Sequence, residues 1–280
     1  MIIWGEGETL EAAEVDHDRH LKGLLERCRM KGLKHNREKF RFRVPEVAYV
    51  GHKLSGTGLR PDPQKVSAIR RMETPSDKAA LQRFLGMINY LAKFVPHLSD
   101  LGQPLRQLLQ KDNEWAWLHE QDQAVAKIKD AITTVPTLKY FNETKEVIVQ
   151  TDTSSTGLGA VILQEGQPVA YTSRALTKTE TNYSQIEKEL LAVLFSLEHF
   201  DHYVYGRKVT VHSDHKPLEI IANKPILTAP KRLQRMLLRM QRYDYNIRFK
   251  QGKEMVIAIH FPGPTDHQSN NTEHRPTARH

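Results

Sequence analysis

Apolar and polar positions alternate most regularly in the second half of the chain, between residues 146 and 250. Short runs rich in β-branched residues predict strands, and polar turns separate these runs. The predicted strands lie near 146–152, 158–164, 167–173, 207–213 and 244–250. Apolar residues at the helical period predict helices near 184–202, 215–222 and 229–242. Three antiparallel strands, a crossover helix and further strands predict an α/β (α+β) fold, in which helices pack on a mixed sheet.

The preceding segment is mainly helical. Residues 63–71 predict one helix, a second is predicted to begin after Asp77, and a third to cover 121–132. The second helix carries apolar residues at the 3.6-residue period, namely Leu81, Phe84, Leu85, Ile88, Leu91 and Phe94. Trp115 and Trp117 precede the third helix. Spaced tryptophans of this kind are more often core residues than a base-stacking platform, and we interpret them as core.

The first 58 residues give a weaker pattern. Residues 1–4 predict a short buried strand and residues 15–32 a helix. One face of this helix carries Leu21, Leu24, Leu25 and Cys28. Between 39 and 55, basic residues alternate with aromatic or apolar ones, which predicts a hairpin that turns at Pro45. A Ser-Gly-Thr-Gly run at 55–58 then interrupts the pattern and predicts a boundary.

Three acidic residues occupy positions that a sheet and its helix can bring together. Asp152 ends the first strand of the predicted sheet, Glu189 lies on the long helix, and Asp214 follows the next strand. Such carboxylates can converge on a divalent cation, because hard cations prefer oxygen ligands. On a helical wheel, Glu189 lies at the edge of the buried face, whereas Glu187 lies on the far rim and Glu198 turns toward solvent. Burying a glutamate is costly unless it is paired or bound to metal, which favours Glu189 as the ligand.

Each acid also has a simpler structural explanation. Asp152 could cap a turn, Asp214 could cap the helix that follows it, and Glu189 could be one of several surface glutamates. Taken one at a time, these explanations are the stronger ones. The order and the flanking motifs of the three acids favour a common site.

These flanking motifs resemble those of a known family. They are Thr151-Asp152-Thr153-Ser154, Gly157-Leu158-Gly159-Ala160-Val161, Asn182-Tyr183-Ser184, Glu187-Lys188-Glu189-Leu190-Leu191-Ala192 and Ser213-Asp214-His215-Lys216-Pro217-Leu218. Residues 146–258 resemble the ribonuclease H domain of a gypsy-type long-terminal-repeat retrotransposon polyprotein. Residues 1–145 resemble the end of its reverse transcriptase.

The resemblance implies a ribonuclease H-like mixed sheet, preceded by a helical thumb-like unit and a remnant of the polymerase palm. The implied domains are the palm remnant with a primer-grip-like hairpin at 1–58, the thumb-like unit at 59–134, a linker at 135–145, the ribonuclease H-like domain at 146–261 and a disordered tail at 262–280. The implied activity is two-metal hydrolysis of the RNA strand of an RNA–DNA hybrid. Asp152, Glu189 and Asp214 would hold Mg²⁺, with Mn²⁺ as a substitute.

Positive charge is concentrated near these acids. The chain has a net charge of +8 and a sequence pI near 9.4, and residues 202–255 alone hold twelve Lys/Arg against four Asp/Glu. A basic surface beside carboxylates suits an enzyme that grips phosphates around a metal site, so we expect RNA–DNA hybrid and duplex nucleic acid as partners. A solvated surface is the other explanation. The predicted nucleic-acid-binding residues are Lys216, Arg232, Arg235 and Arg239.

Composition indicates a globular protein, with 39% hydrophobic and 26% charged residues. No apolar run approaches the roughly 20 residues of a membrane span, and the first eight residues turn acidic too soon for a signal peptide. We therefore expect an intracellular protein, cytoplasmic or nuclear, without a membrane partner. The single cysteine, Cys28, excludes an internal disulfide and a cysteine-clustered zinc site. The sequence predicts no particular oligomeric state.

Two sets of catalytic acids in the family pattern are missing. The paired aspartates of the polymerase are absent, and the acids at 6–14 lie in a polar connection that cannot replace them. Ile259 stands where the family has a fourth nuclease aspartate. Asp266 could replace that aspartate only if the tail folded back, and His260 is adjacent. The sequence therefore predicts no DNA polymerisation and weak or absent Mg²⁺-dependent cleavage.

Two hypotheses about function follow, and they leave open whether the chain is an enzyme. The leading one is a ribonuclease H-like module fused to an incomplete reverse transcriptase. The alternative is a non-catalytic nucleic-acid-binding remnant of a decayed element. Because the family pattern is broken near both ends of the sequence, we expect a gene fragment, a mispredicted exon or a decayed element.

Overall fold

The computed structural model describes residues 1–111, 113–223 and 225–256, and the chain divides into two compact units, Met1–Val47 and Ala48–His280. The helices are α1 (Leu10–Met30), α2 (Pro63–Arg71), α3 (Lys78–Asn89), α4 (Leu98–Leu101), α5 (Gln103–Gln107), α6 (His119–Ala131), α7 (Gln185–His199), α8 (Asp201–Val204), α9 (Pro217–Ala222) and α10 (Lys231–Met240). The strands are β1 (Glu46–Tyr49), β2 (His52–Ser55), β3 (Gly58–Pro61), β4 (Val147–Thr153), β5 (Gly157–Gln164), β6 (Gln167–Ala175), β7 (Lys208–Ser213) and β8 (Asp244–Phe249). None of the helices in these described ranges is long and apolar enough to cross a membrane.

The first unit is built on α1. The side chain of Thr9 caps this helix by accepting a hydrogen bond from the backbone N–H of Ala12 at 3.2 Å, so the helix begins earlier than the predicted residue 15. Cys28 is buried, whereas Leu25 of the same predicted face is exposed. The strand predicted at 1–4 was wrong. These residues have no regular structure, because no strand of the described chain pairs with them and takes up their backbone hydrogen bonds.

The hairpin predicted at 39–55 was wrong in both halves, because the single strand predicted after Pro45 is divided into β1 and β2, which are neighbours in a three-stranded sheet. Residues 40–45 form no strand, and Phe40 and Phe42 are half exposed. Instead, β2 pairs with β3 in antiparallel register, with Ser55 opposite Gly58. The Ser-Gly-Thr-Gly run is therefore the turn of a hairpin. Alternating residues form a strand only where a neighbouring strand takes up the backbone hydrogen bonds, and the described structure shows no such neighbour for 40–45.

The helices predicted between 63 and 132 are present, although α3 ends at Asn89, before the predicted Leu91 and Phe94, and we call α2 to α6 the helical segment. Asp77 caps α3 by accepting a hydrogen bond from the backbone N–H of Ala80 at 2.6 Å. The six apolar residues predicted for this region are all buried in the core. Trp115 and Trp117 lie against each other, with ring centroids 5.6 Å apart, and pack on the same core. Their interpretation as core residues is therefore confirmed.

The sheet predicted after residue 146 is also confirmed. Its five strands lie in the order β6-β5-β4-β7-β8. β6, β5 and β4 are antiparallel neighbours, whereas β4, β7 and β8 are parallel. This is the mixed α/β sheet that the sequence predicts, and α7 supplies the crossover between its antiparallel and parallel halves.

Both faces of this sheet are covered. On one face, Leu158, Ala160 and Ile162 of β5 belong to a core shared with α7 and α10, which we call the front core. On the other face, Val161 and Leu163 belong to a core shared with the helical segment, which we call the back core. Every residue of β5 is buried as a result. The sheet therefore belongs to two cores at once, and the helical segment covers one entire side of β5.

Candidate active site

The candidate site lies at the edge of the sheet where two parallel strands end. β4 and β7 are parallel neighbours, and Gln150 of β4 lies opposite His212 of β7. Two residues further along, the same register brings Asp152 level with Asp214, and the two carboxyls lie near enough to interact electrostatically. Side chains that follow parallel strands meet at one edge of a sheet, which is where ligands bind in α/β folds.

The third predicted acid, Glu189, reaches this edge from α7. Only 3% of its surface is exposed. Its Oε1 accepts hydrogen bonds from Thr153 Oγ1 at 2.5 Å and from Gln185 Nε2 at 2.6 Å. Its Oε2 is buried and has no hydrogen-bond donor in the described structure. A buried carboxylate oxygen without a donor is costly, so this atom is free to bind a cation.

Two other glutamates of α7, Glu187 and Glu198, have partners of their own. Glu187 accepts a hydrogen bond from the backbone N–H of Ser184 at 3.0 Å, which caps the helix, and another from Arg232 at 2.8 Å. It is therefore more buried than its predicted place on the far rim implies. Glu198 forms an ion pair with an arginine of α10. The structure brings Glu189, and neither of these two, to the edge where Asp152 lies.

The three acids share one electrostatic environment. Burial raises the pKa of the Asp152 carboxyl, His97 acts in the opposite direction, and the charge of Asp214 raises this pKa again. Burial raises the pKa of Glu189 to about 7; its two hydrogen bonds lower this pKa, and the charges of Asp214 and Asp152 add to the increase. Like charges at short range disfavour each other's ionised forms, and a bound cation would relieve that repulsion.

The donor set fits a hard divalent cation. Among residues 1–111, 113–223 and 225–256, no group of three or more His, Cys, Asp or Glu side chains is arranged to hold a metal ion, so the fit concerns the chemistry of the donors and not a finished site. The available donors are carboxylate oxygens, and one of them, Glu189 Oε2, is buried without a donor of its own. Oxygen donors of this kind are those that Mg²⁺ and Mn²⁺ prefer. Asp152, Glu189 and Asp214 are the residues that could hold such an ion.

Two residues of the helical segment reach the same edge, and sequence analysis missed both. His97 Nε2 lies 3.5 Å from Asp152 Oδ2. Asp100 accepts a hydrogen bond from the Ser154 hydroxyl at 3.0 Å, although the two residues are 54 positions apart in the chain. No local pattern signals contacts over such a separation. Only the packing of the helical segment against the sheet brings these residues to the site.

The predicted nucleic-acid-binding residues lie on α9 and α10. Lys216 is exposed at the start of α9. Arg232 donates to Glu187 at 2.8 Å, and Arg239 donates to Glu198 through two nitrogens. Arg235 is exposed on α10 and forms no ion pair with the side chains that the structure describes. Two of the three predicted arginines therefore already have acidic partners. Arg235 is the one that forms no ion pair within the described structure.

The position of the missing fourth acid, Ile259, lies outside the described residues, as do His260, Asp266 and the tail predicted at 262–280. The described chain nevertheless approaches the site after β8. A Cβ atom on Gly252 would lie 3.3 Å from Asp214 Oδ2. The backbone N–H of Val256 donates to the side chain of Gln150 at 2.8 Å. The segment that leads to Ile259 therefore passes Asp214 and returns to β4.

The sequence of the chain is similar to those of known proteins. Residues 117–211 match the family model of the RNase H-like domain found in reverse transcriptase. The transposon Tf2-3 and Tf2-4 polyproteins of Schizosaccharomyces pombe are each 32% identical to this chain over 253 residues. These matches cover 88% of this chain and 19% of each relative. The chain thus spans about a fifth of the length of these curated relatives.

Solved structures show the same fold. The foamy viral protease-reverse transcriptase in complex with RNA/DNA hybrid matches with a TM-score of 0.72 and 20% identity, over 98% of this chain and 37% of that chain. The foamy viral protease-reverse transcriptase dRH in complex with ds DNA matches with a TM-score of 0.74 and 20% identity, over 88% of this chain and 44% of that chain. At this level of identity, the likeness is evidence for the fold alone.

The mixed five-stranded sheet, with its acids at the carboxyl edge, is an RNase H-like domain of the class found in reverse transcriptases. The chain is homologous to part of the gypsy-type long-terminal-repeat retrotransposon polyproteins, which confirms the family that the motifs predict.

The buried carboxyl of Glu189 should make the metal-free protein less stable as the pH rises toward neutrality. Its pKa is about 7 in the folded protein, against an ordinary value of 4.5. Between these two values the folded state binds more protons than the unfolded state. The free energy of unfolding therefore falls by about 1.4 kcal/mol per pH unit, or about 3 kcal/mol over the window. This contribution is fully present below pH 4.5 and is lost as the pH rises through 7.

Urea unfolding at about pH 5 and about pH 7.5, in the presence of a chelator, measures this effect. Glu189→Gln should remove most of the decrease in the free energy of unfolding between these pH values, because the amide cannot ionise. The control is Glu143→Gln, at an exposed glutamate, which should leave this decrease in the free energy of unfolding unchanged. Equal pH dependence in the Glu189→Gln and unsubstituted proteins would contradict the assignment.

Proposed function

We propose that this chain contains a ribonuclease H-like module that hydrolyses the RNA strand of RNA–DNA hybrids, preceded by a segment that resembles the end of a reverse transcriptase. Asp152, Glu189 and Asp214 would hold Mg²⁺, or Mn²⁺ in its place. When bound, such ions lower the pKa of water and stabilise negative charge on phosphate oxygens. The chain itself would position the carboxylates and provide the surface that binds the nucleic acid.

The observation that carries this proposal is the state of Glu189. A surface glutamate would be solvated, and a capping glutamate would use its oxygens on backbone N–H groups. The Glu189 carboxylate is instead buried, held through Oε1 by Thr153 and Gln185, and left without a donor at Oε2. Its pKa of about 7 reflects burial beside Asp214 and Asp152. Strongly shifted acids that converge in this way are typical of functional sites.

The simpler explanations of the two aspartates have less support. Lys216 begins α9 without any side-chain cap, so Asp214 does not act as the cap of that helix. Asp152 Oδ1 accepts a hydrogen bond from the backbone N–H of Thr153 at 2.9 Å, which satisfies only one of its oxygens. The other oxygen, Oδ2, faces His97. Neither carboxylate therefore has a capping role that would account for both of its oxygen atoms.

Nucleic acid as the partner is supported by charge and by the structural neighbours. The second unit carries the basic segment 202–255, which lies in the same fold as the acids. One foamy viral neighbour is a complex with RNA/DNA hybrid and another is a complex with ds DNA. A hybrid that lies along α9 and α10 would place its phosphates near Lys216 and Arg235.

Binding of RNA–DNA hybrid and of duplex should depend steeply on salt. Each phosphate contact on B-form DNA adds about 0.9 to the slope of log affinity against log salt. Arg235→Glu should weaken binding and reduce this slope by about one unit, because its guanidinium is exposed and forms no ion pair in the described structure. Arg232→Glu and Arg239→Glu should also weaken binding, but they remove the partners of Glu187 and Glu198 as well.

Fluorescence anisotropy with a labelled hybrid, over salt from about 50 to about 200 mM, measures both the affinity and the slope. The control is Arg19→Glu, which makes the same change of charge in the first unit and should leave the slope unchanged. Binding that does not respond to salt would contradict the nucleic-acid part of the proposal.

The substitution Ile259→Asp tests the catalytic part. We expect weak or absent Mg²⁺-dependent cleavage of the RNA strand by the chain as it stands, and partial rescue by Ile259→Asp. A fourth carboxylate would add negative charge to hold an ion against its hydration. Mn²⁺, which accepts mixed ligands more readily, should support more cleavage than Mg²⁺. Ile257→Asp, which adds the same charge two residues earlier, is the matched control and should give no rescue.

The outcomes of this experiment separate the two hypotheses. Full Mg²⁺ activity without substitution would mean that Asp266, His260 or water replaces the missing acid. Absence of rescue, together with salt-dependent binding, would favour the alternative of a non-catalytic nucleic-acid-binding remnant. That alternative is favoured by one specific observation, the isoleucine at the position of the fourth acid.

A further inference from the structure

A short loop and helix of the helical segment meet the acid edge of the sheet. His97 immediately precedes α4 and has φ 49° and ψ 28°, in the left-handed region that non-glycine residues rarely occupy. Its side chain is 15% exposed. The ring lies between two carboxylates, with Nε2 3.5 Å from Asp152 Oδ2 and Nδ1 3.8 Å from Asp100 Oδ2. A strained residue whose side chain points at a candidate catalytic acid suggests a functional reason for the strain.

Asp100 ties the same helix to the turn between β4 and β5. Its Oδ1 accepts hydrogen bonds from the hydroxyls of Ser154 at 3.0 Å and Thr156 at 3.3 Å. A Cβ atom on Gly157 would lie only 2.2 Å from this oxygen, so the start of β5 has no room for a side chain. The turn after Asp152 is therefore shaped around Asp100, and the glycine allows this close approach.

The backbone of α4 is fixed on its other side as well. The N–H of Ser99 donates to the hydroxyl of Ser173 on β6 at 2.9 Å. Arg106 Nη1 donates to the carbonyl oxygen of Ser99 at 2.6 Å. The first bond holds α4 to the sheet, and the second holds it to α5. The ring of His97 consequently has a defined position relative to Asp152.

We propose that His97 is a positioning residue for Asp152: its imidazole, 3.5 Å from Asp152 Oδ2, restrains the carboxylate in the orientation that binds a divalent cation, and Asp100 ties the helix that follows His97 to the turn after Asp152. This inference rests on the proposed function, because it concerns the same metal site. It assigns to the helical segment a part in the nuclease site. Groups that hydrogen-bond to metal ligands fix the ligand's orientation, and their loss typically weakens metal binding 10- to 100-fold.

A purely structural role for His97 makes a different prediction. If the ring only filled space, His97→Gly would relieve the left-handed backbone and leave the edge of the sheet unchanged. His97→Asn also suits this backbone, but its amide is too short to take the place of Nε2. His97→Gln carries an amide N–H at about the distance of Nε2. The three variants therefore distinguish the effect of relieving the left-handed backbone from the effect of losing the contact with Asp152.

The test is titration of the full chain with Mn²⁺, followed by isothermal calorimetry and by the electron paramagnetic resonance of free Mn²⁺. We expect His97→Gly and His97→Asn to bind Mn²⁺ about 10- to 100-fold more weakly while keeping the circular dichroism of the unsubstituted protein. His97→Gln should recover most of the affinity. The control, the exposed histidine substitution His202→Gln, should bind like the unsubstituted protein.

Unchanged Mn²⁺ affinity in both His97→Gly and His97→Asn would overturn the positioning role while leaving the proposed metal site intact. If His97→Gly loses its fold, His97→Asn and His97→Gln decide the question, and equal affinity in these two would also overturn it. If the unsubstituted chain binds Mn²⁺ no more tightly than Asp152→Asn, the proposed metal site itself fails, and the positioning role fails with it.

Discussion

Asp152→Asn, made on the Ile259→Asp background, is expected to reduce cleavage of the RNA strand to the level of a protein-free control. We expect the cleavage rate to fall by at least about 100-fold. Substitution of a residue that merely supports a metal ligand already lowers metal affinity or activity 10- to 100-fold. Both other acids of the proposed site, Asp214 and Glu189, interact electrostatically with Asp152. The amide of asparagine keeps the volume and one oxygen acceptor but removes the negative charge that a hard cation requires.

Initial rates on a labelled hybrid in Mn²⁺ measure this loss. The control is Asp244→Asn, which makes the same chemical change at an exposed position at the start of β8. Circular dichroism and hybrid affinity should be unchanged in both variants, so that the loss can be assigned to the chemistry. A cleavage rate within a few-fold of that of the Ile259→Asp parent would show that Asp152 is not part of the catalytic site.

Phe84→Ala should destabilise the whole second unit, including the nuclease sheet. Phe84 is fully buried in the back core, which also contains Val161 and Leu163 of β5. Loss of a buried phenylalanine typically costs about 3–5 kcal/mol, through lost burial and the cavity that remains. Because β5 contributes to both cores, we expect the helical segment and the sheet to unfold together. Leu190→Ala in the front core should shift the same transition by about 2–5 kcal/mol.

Urea unfolding followed by tryptophan fluorescence and by circular dichroism tests this coupling. In a Trp4→Phe background, the remaining tryptophans, Trp115 and Trp117, report on the helical segment. The fluorescence transition should move with Leu190→Ala, although that residue lies on the opposite face of the sheet. Two separate transitions, one insensitive to Leu190→Ala, would support the predicted division into a thumb-like unit at 59–134 and an independent nuclease domain at 146–261.

Much of the fold could be predicted because local patterns and packing agree in the second unit. The strands and helices after residue 146 lie within a few residues of their predicted positions, and α2 has its predicted bounds. Near the N-terminus, the pattern at 39–45 alternates just as regularly, yet Phe40 and Phe42 have no described strand beside them. Alternation predicts which face of a strand is apolar, but a strand also needs a partner for its backbone.

The site could be predicted only as far as its acids. Asp152, Glu189 and Asp214 each sit on an element with a clear local pattern, and motif order linked them. His97 and Asp100 depend on a tertiary contact between α4 and the β4–β5 turn, which no periodicity encodes. The ion pairs of Arg232 and Arg239 were missed for the same reason, since their partners lie on α7.

The most direct test of the central claim is strand-specific cleavage of an RNA–DNA hybrid that carries a different label on each strand. With the Ile259→Asp protein in Mn²⁺, we expect that the RNA strand is cut, that the DNA strand stays intact, and that a chelator abolishes cutting. Cutting of both strands alike, or cutting that persists in the chelator, would contradict a metal-dependent ribonuclease H-like site built on Asp152, Glu189 and Asp214.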